Sequence, residues 1–377
     1  MVDTGLVRRV ETGTAAGRDR AVDGLRAVAI LGVVLGHWLV TAMVATGDGV
    51  SVASPLTYLG GMTWVSWVFQ TLAVFFLVGG RAAALGYRRP YRTWLAGRLR
   101  RLFRPVVVLL AAWGVLTAGL LLAGAGGRTV HTVLTLVLSP LWFLLVFAGL
   151  TALTPLATRL HPAWPLLVVV AVDAIRLGFD GPAALVWVNI AAGWLVPFTL
   201  GARFFHRRYG WALLAGGAVA TVALVRWGGY PASMVGVPGE FSNLNPPTLA
   251  AVTFGLAQCG AALLLHGPFD RLLRRSPRAW TTVAVVNLFA MTVFLWHQTA
   301  MLTVTGLTLL TAGPLPGLHT VPATPGWLAA RLVWLPLFAT ALAGCWALFH
   351  RAELARQAAR PGLASSGDRD RAGRVAS

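Results

Sequence analysis

Three groups of polar residues interrupt otherwise apolar stretches of this chain, and together they offer acid–base and anion-binding chemistry. The first is Asp23-Gly24-Leu25-Arg26, followed by Gly32, Gly36 and His37. Asp23 and Arg26 stand three residues apart, so a helix places them on one face. His37 follows Arg26 by eleven residues, close to three turns, which sets both on nearly one stripe with a rise of about 16 Å between them. Gly32 and Gly36 form a small-xxx-small pair that lets another helix come close. The second group is Arg98, Arg100, Arg101 and Arg104 ahead of Pro105. Arg101 and Arg104 lie one turn apart and can fork around phosphates. The third is Trp296-His297-Gln298, with Arg331 on the next apolar segment. Each group also has a plain structural reading: an anchored helix start, a charge run set by topology, or a His bonded to its neighbour.

The elements that must position these residues are membrane helices. Apolar residues make up 57 % of the chain and charged residues 11 %, with a mean hydropathy of +0.71. A soluble domain carries roughly 25 % charged residues, so this chain cannot clothe a water-facing surface. A bilayer core takes about 20 apolar residues per helical crossing. Ten segments qualify: 24–46, 62–86, 104–124, 133–157, 163–179, 183–205, 210–227, 247–266, 282–310 and 327–349. The fifth is short and carries Asp173 and Arg176, which read as a local pair three residues apart.

The formal charge of +19 comes from 31 basic residues, all of them Arg, against 12 acidic ones. With an inward N-terminus, 27 of these arginines fall on one side of the ten spans and four on the other. That is the positive-inside bias of a cell-membrane protein with both termini in the cytoplasm. It leaves no reason to infer nucleic-acid binding. The expected fold is an all-α polytopic membrane bundle over residues 21–350. A disordered N-terminal segment, 1–20, precedes it, and a basic disordered tail, 351–377, follows. The two cysteines lie in different spans and read as small hydrophobes. No Walker loop, dinucleotide fingerprint, paired-Cys motif or HExxH is present, and no metal or bound cofactor is inferred. The longest outer loop, 228–246, offers Glu240 and Asn243 to a polar acceptor, or uses them only to turn the chain.

In the order and spacing of five landmarks the sequence resembles the bacterial acyltransferase-3 family. They are Asp23-Gly24-Leu25-Arg26-Ala27 with His37, Phe75-Phe76-Leu77, Arg101-x-x-Arg104-Pro105, Leu141-Trp142-Phe143-Leu144 and Phe294-Leu295-Trp296-His297. Two positions depart from the family pattern. Gly79-Gly80-Arg81 replaces a frequent Ser-Gly-Phe, and Phe147 stands about where many members have Glu.

The resemblance implies transfer of an acyl group, foremost acetyl from cytoplasmic acetyl-CoA, to a hydroxyl. The acceptor would be an extracytoplasmic or membrane-associated glycan, glycolipid or other small molecule. On that reading His37 is the general base, and Arg26, oriented by Asp23, binds the donor or holds the first helix in register. Arg101 and Arg104 hold the phosphates of acyl-CoA, a co-substrate, and His297 and Arg331 position the acceptor or the oxyanion. Buried His and Arg equally suit a transporter of a lipid, sugar or small polar solute. A non-catalytic membrane partner on the same scaffold is the third reading.

Overall fold

Backbone amides in hydrocarbon have no water to bind, so apolar segments of this length fold as helices. The computed structural model describes residues 4–47, 49–238 and 240–350. Helices α1 (Thr4–Gly13) and α2 (Arg20–Val40) lead into a hairpin of β1 (Ala42–Thr46) and β2 (Gly49–Ala53), with Ala42 opposite Ala53. One-turn helices α3 (Pro55–Tyr58) and α4 (Val65–Val68) precede α5 (Leu72–Gly86) and the long α6 (Tyr91–Leu122). Next come α7 (Gly127–Leu138), α8 (Leu141–Ala152) and a single turn, α9 (Thr154–Ala157). The second half holds α10 (Ala163–Gly178), α11 (Val188–Arg203), α12 (Gly210–Trp227) and α13 (Leu249–Arg275). The chain continues through α14 (Pro277–Leu288), α15 (Ala290–Ala312) and α16 (Pro325–Phe349). The tail 351–377 lies outside the described residues. The protein is a polytopic helical membrane protein.

Among the described residues, nine helical stretches are long and apolar enough to cross a membrane, against ten expected. The missing one is α10, whose 16 residues reach only about 24 Å. Both its ends nevertheless meet those of α11. At one end Arg203 donates to the Arg159 carbonyl and His161 sits edge-on to Phe204. At the other, Asp173 accepts from Asn189 at 2.9 Å, from the Tyr230 hydroxyl at 2.8 Å and from the Leu249 amide at 2.7 Å. A helix tied at both ends to its neighbour crosses the same depth, and the arginine bias requires that crossing.

Asp173 therefore does not pair with Arg176 as expected; Arg176 lies over the Phe241 ring, 4.9 Å from its centre. Burial, and then the Asp173 carboxylate, push the Tyr230 phenol well above its usual range. It stays a hydrogen-bond donor.

Three further expectations change. Residues 4–13, read as disordered, form α1, which docks through Arg20 to Glu11 (2.9 Å) and the Trp280 indole to Thr14 (2.9 Å). The ninth span divides at Phe289 into α14 and α15. The first span stops at Val40 rather than 46, and the cause is Arg331. A helix end leaves carbonyls without partners, and the Arg331 guanidinium supplies donors to them from α16. It donates to the Trp38 carbonyl at 2.6 Å, the Thr41 carbonyl at 2.6 Å and the Gly317 carbonyl at 3.0 Å. Gly317 adopts φ +77°, and a Cβ there would lie 2.7 Å from the Arg331 amide. Residues after Thr41 are thus released from the helix into the hairpin, where the Ala45 amide donates to the His319 carbonyl at 3.0 Å.

Close backbone approach holds the centre together. Gly80 lies against the Phe198 carbonyl and Gly201 against that of Leu77, so α5 and α11 pack without intervening side chains. Gly32 faces Thr71, whose hydroxyl donates to the Ala29 carbonyl at 2.7 Å, and Gly36 faces Phe69. Replacing Arg331 by Lys keeps the charge but loses the planar fork. Arg331→Lys is expected to lower stability by about 2–4 kcal/mol, since carbonyls lose donors in a dry site. Unfolding in detergent measures this; a wild-type transition would mean the fork is not what closes α2.

Candidate active site

The first turn of α2 builds the inner wall of a chamber. Asp23 is buried, and its carboxylate bridges two arginines, accepting from Arg18 Nε at 2.5 Å and Arg26 Nη1 at 3.1 Å. Asn287 of α14 locks this arrangement. Its amide donates to the Asp23 carbonyl at 2.7 Å, and its oxygen accepts from Arg26 at 3.3 Å. From α6, Arg98 donates to the Ala82 carbonyl at 2.9 Å, and Arg101 stands one turn further on. Arg18, Arg26, Arg98 and Arg101 all line one cavity of about 560 Å³. Four guanidinium groups line it with no carboxylate among its walls, an arrangement suited to an anion. Its other walls are aromatic, with Phe75, Phe143, Phe147 and Phe294, and they include Thr151, whose buried hydroxyl has no hydrogen-bond partner among the described residues.

A second cavity, of about 140 Å³, holds His37 with Gln70 and Trp142, and it shares Phe143 and Phe294 with the first. The two spaces therefore lie against one shared aromatic pair, whose ring centres are 5.4 Å apart. His37 sits in the last turn of α2. Its Nδ1 lies 3.2 Å from the Gln298 amide nitrogen, and its ring lies 5.2 Å from that of His297. His297 is fully buried. Its Nδ1 donates to the Phe294 carbonyl, and its Nε2 has no hydrogen-bond partner among the described residues. The Trp38 indole donates to the His297 carbonyl at 3.0 Å, tying α2 to α15 one residue beyond His37. The arrangement sets guanidinium groups suited to an anion beside a histidine pair suited to proton transfer. Among the described residues, no three His, Cys, Asp or Glu side chains gather as a metal site requires.

The structure brings together Arg26 and Arg101 in the chamber, with Asp23 bonded to Arg26 behind its wall, and His37 with His297 beyond it. Four expected site residues lie elsewhere. Arg104 is exposed and lines neither cavity; Arg98 and Arg18 occupy the chamber in its place. Arg331 does not share a polar cavity with His297, because its guanidinium is consumed by backbone carbonyls. Asn243 is fully buried in its loop, donating to the carbonyls of Pro231 and Ser233 and accepting from Thr248. Such an amide has nothing left for an acceptor. Glu240 is exposed and lines neither cavity.

The residues missed are Gln298, Gln70, Asn287, Arg18 and Arg98. Two carried a sequence signal: Gln298, a polar residue beside His297 in an apolar span, and Arg98, the first of the arginine run before Pro105. Gln70, Asn287 and Arg18 become visible only when distant helices meet.

A bundle of membrane helices thus encloses an arginine-lined chamber beside a histidine pair. Residues 19–350 match the model of the acyltransferase-3 family, described as an acyltransferase domain. The chain belongs to that family and is an acyltransferase. Neither the curated proteins nor the solved structures provide a match.

The two departures from the family pattern touch each other. A Cβ on Gly79 would lie 2.5 Å from Phe147, so the phenyl ring occupies the space that a side chain at 79 would take. Phe147 also packs against Phe75, at 5.2 Å between ring centres, and Phe143, at 6.3 Å. The pair works as one unit that turns a polar corner of the chamber into an aromatic one. Gly79→Ala is therefore expected to cost about 1–3 kcal/mol by overpacking, and much less when Phe147 is already Ala. A double-mutant cycle on thermal unfolding checks this; additive losses would uncouple the two positions.

Proposed function

We propose that this protein is a cell-membrane O-acyltransferase using cytoplasmic acyl-CoA, foremost acetyl-CoA, as donor. The acceptor is a hydroxyl of an extracytoplasmic or membrane-associated glycan, glycolipid or other small molecule. One observation carries the reading: the four-arginine chamber and the His37 cavity lie against the same two walls, Phe143 and Phe294. Phosphates of the donor suit the guanidinium groups, and the thioester arm suits the apolar walls leading toward His37.

In this mechanism His37 takes the proton of the acceptor hydroxyl as its oxygen attacks the thioester carbonyl. The tetrahedral intermediate collapses, the carbon–sulfur bond breaks, and the departing thiolate recovers that proton from His37. The base needs a lone pair toward the substrate, which makes Gln298 its positioning residue. An amide presents oxygen or nitrogen by a half-turn, and Gln298 Oε1 is buried without a hydrogen-bond partner among the described residues. With that oxygen turned to His37, it accepts from Nδ1–H and leaves Nε2 free as base. His297 offers its unpartnered Nε2 to the acceptor hydroxyl and helps to orient it.

Three outcomes test the proposal. His37→Ala is expected to fold and express but to lose transfer by about 10²–10⁴-fold; near-normal turnover would remove His37 from the chemistry. Arg101→Ala should raise the acyl-CoA Kd by roughly tenfold, read by binding of radiolabelled acetyl-CoA; unchanged affinity would leave Arg101 with topology alone. Gln298→Leu should lower kcat while leaving the KM for acyl-CoA as it is, because it disturbs the base and not the donor site. Purified protein given labelled acetyl-CoA and envelope extract must yield a labelled product. Vesicle uptake without one would instead point to transport.

A further inference from the structure

A smaller pocket of about 220 Å³ lies on the other side of α5 from the arginine chamber. Gly79 and Ala82 face the chamber, whereas Arg81 faces this pocket; likewise Arg18 lines the one and Asp19 the other. Its remaining walls are Phe205 and Arg207 from the turn between α11 and α12, and Leu263 and His266 from α13. By the arginine bias the pocket is at the cytoplasmic face.

The polar groups divide into a pair that is satisfied and two cations that are not. Asp19 Oδ1 and Oδ2 each lie 3.0 Å from His266 Nε2, and Oδ1 also accepts from the Val22 amide at 3.1 Å. Burial alone would raise the Asp19 carboxyl, but the His266 and Val22 hydrogen bonds, with Arg81 nearby, hold it below its usual range. The carboxylate is thus ionised and already engaged. Arg81 Nε is buried and has no hydrogen-bond partner among the described residues. The guanidinium carbon lies over the Phe205 ring, 5.2 Å from its centre, and the Phe205 ring stands edge-on to His266. Arg207 enters from the turn as an exposed cation. A guanidinium held against an aromatic ring, with its Nε unpartnered, is placed to bind an oxyanion.

We propose that this pocket binds a phosphate group, held by Arg81 and Arg207 beside the Asp19–His266 pair. A water's share of the liquid is about 30 Å³, so the volume admits a tetrahedral oxyanion with the start of its ester stem. The phosphate can come from an anionic lipid of the inner leaflet or from a soluble phosphate. The site is separate from the acyl-transfer chamber, and the inference stands whether or not that chamber binds acyl-CoA.

The full chain in phosphatidylcholine nanodiscs, doped with phosphatidic acid, tests the first source by native mass spectrometry of retained lipid. Thermal melting in detergent against millimolar inorganic phosphate tests the second. The wild type is expected to favour phosphatidic acid, or to be stabilised by inorganic phosphate, with about tenfold weaker binding in R81Q/R207Q. R92Q/R100Q removes equal charge from exposed positions outside the pocket and should bind as the wild type does. A lipid-only response assigns the headgroup, and a response to inorganic phosphate alone assigns a soluble ligand. Equal binding in R81Q/R207Q, or equal loss in R92Q/R100Q, would overturn the site. R207Q alone, in a surface turn, should show a smaller loss of the same kind if the double variant does not fold.

Discussion

One buried cation sets the geometry of the outer half of the bundle. Arg331 has almost no exposed surface, and a charge in that position needs hydrogen-bond partners to offset its desolvation. It finds them mainly on the backbone, holding the carbonyls of Trp38, Thr41 and Gly317 and touching the sulfur of Met301. These bonds end α2 just after His37 and fix Trp38 in place. The Trp38 indole in turn holds the His297 carbonyl. The His37–His297 pair therefore inherits its alignment from an arginine that touches neither ring. This guanidinium acts on the site through the main chain.

Within lipid, helices gain little by burying apolar surface against one another, so contact distance and polar bonds carry the packing. The glycine contacts between α5 and α11, and between α2 and the segment before α5, bring backbones together at the centre. Larger side chains gather where helices diverge. Phe75, Phe143, Phe147 and Phe294 give the arginine chamber apolar walls, and two of them, Phe143 and Phe294, also line the His37 cavity. Asp23, Asn287 and Asp173 show the complementary rule. The bonds of Asn287 to Asp23 and Arg26 join α14 to α2, and those of Asp173 join α10 to α11 and α13, which restrains their relative depth.

Arginine serves three purposes in this chain. Most of the 31 record the direction of insertion, a smaller group converges on the inner chamber, and Arg81 faces a different pocket altogether. Nothing distinguishes these groups by residue type. Only the helix face on which each one lies, and the neighbours it meets, separate a topological charge from a ligand-binding one.

Much of this was legible in the residues themselves. Apolar length and arginine sidedness determined a polytopic helical membrane protein, because the bilayer imposes both on any chain. Helical periodicity joined Asp23 to Arg26 and set His37 on the same stripe, since those relations are local to one helix. Relations between helices were not legible. His297 was expected to act with Arg331 of the next apolar segment, yet neighbouring spans say nothing of rotation about the helix axis, and its ring lies beside that of His37. Asn243 and Arg331 had the right chemistry for a ligand, but distant carbonyls claim their polar atoms. The sequence by itself determined which residues lie in the membrane and which share a helical face. Tertiary structure alone decided which of their polar atoms remain free, because a hydrogen-bonding group is spent or available only according to what packs against it.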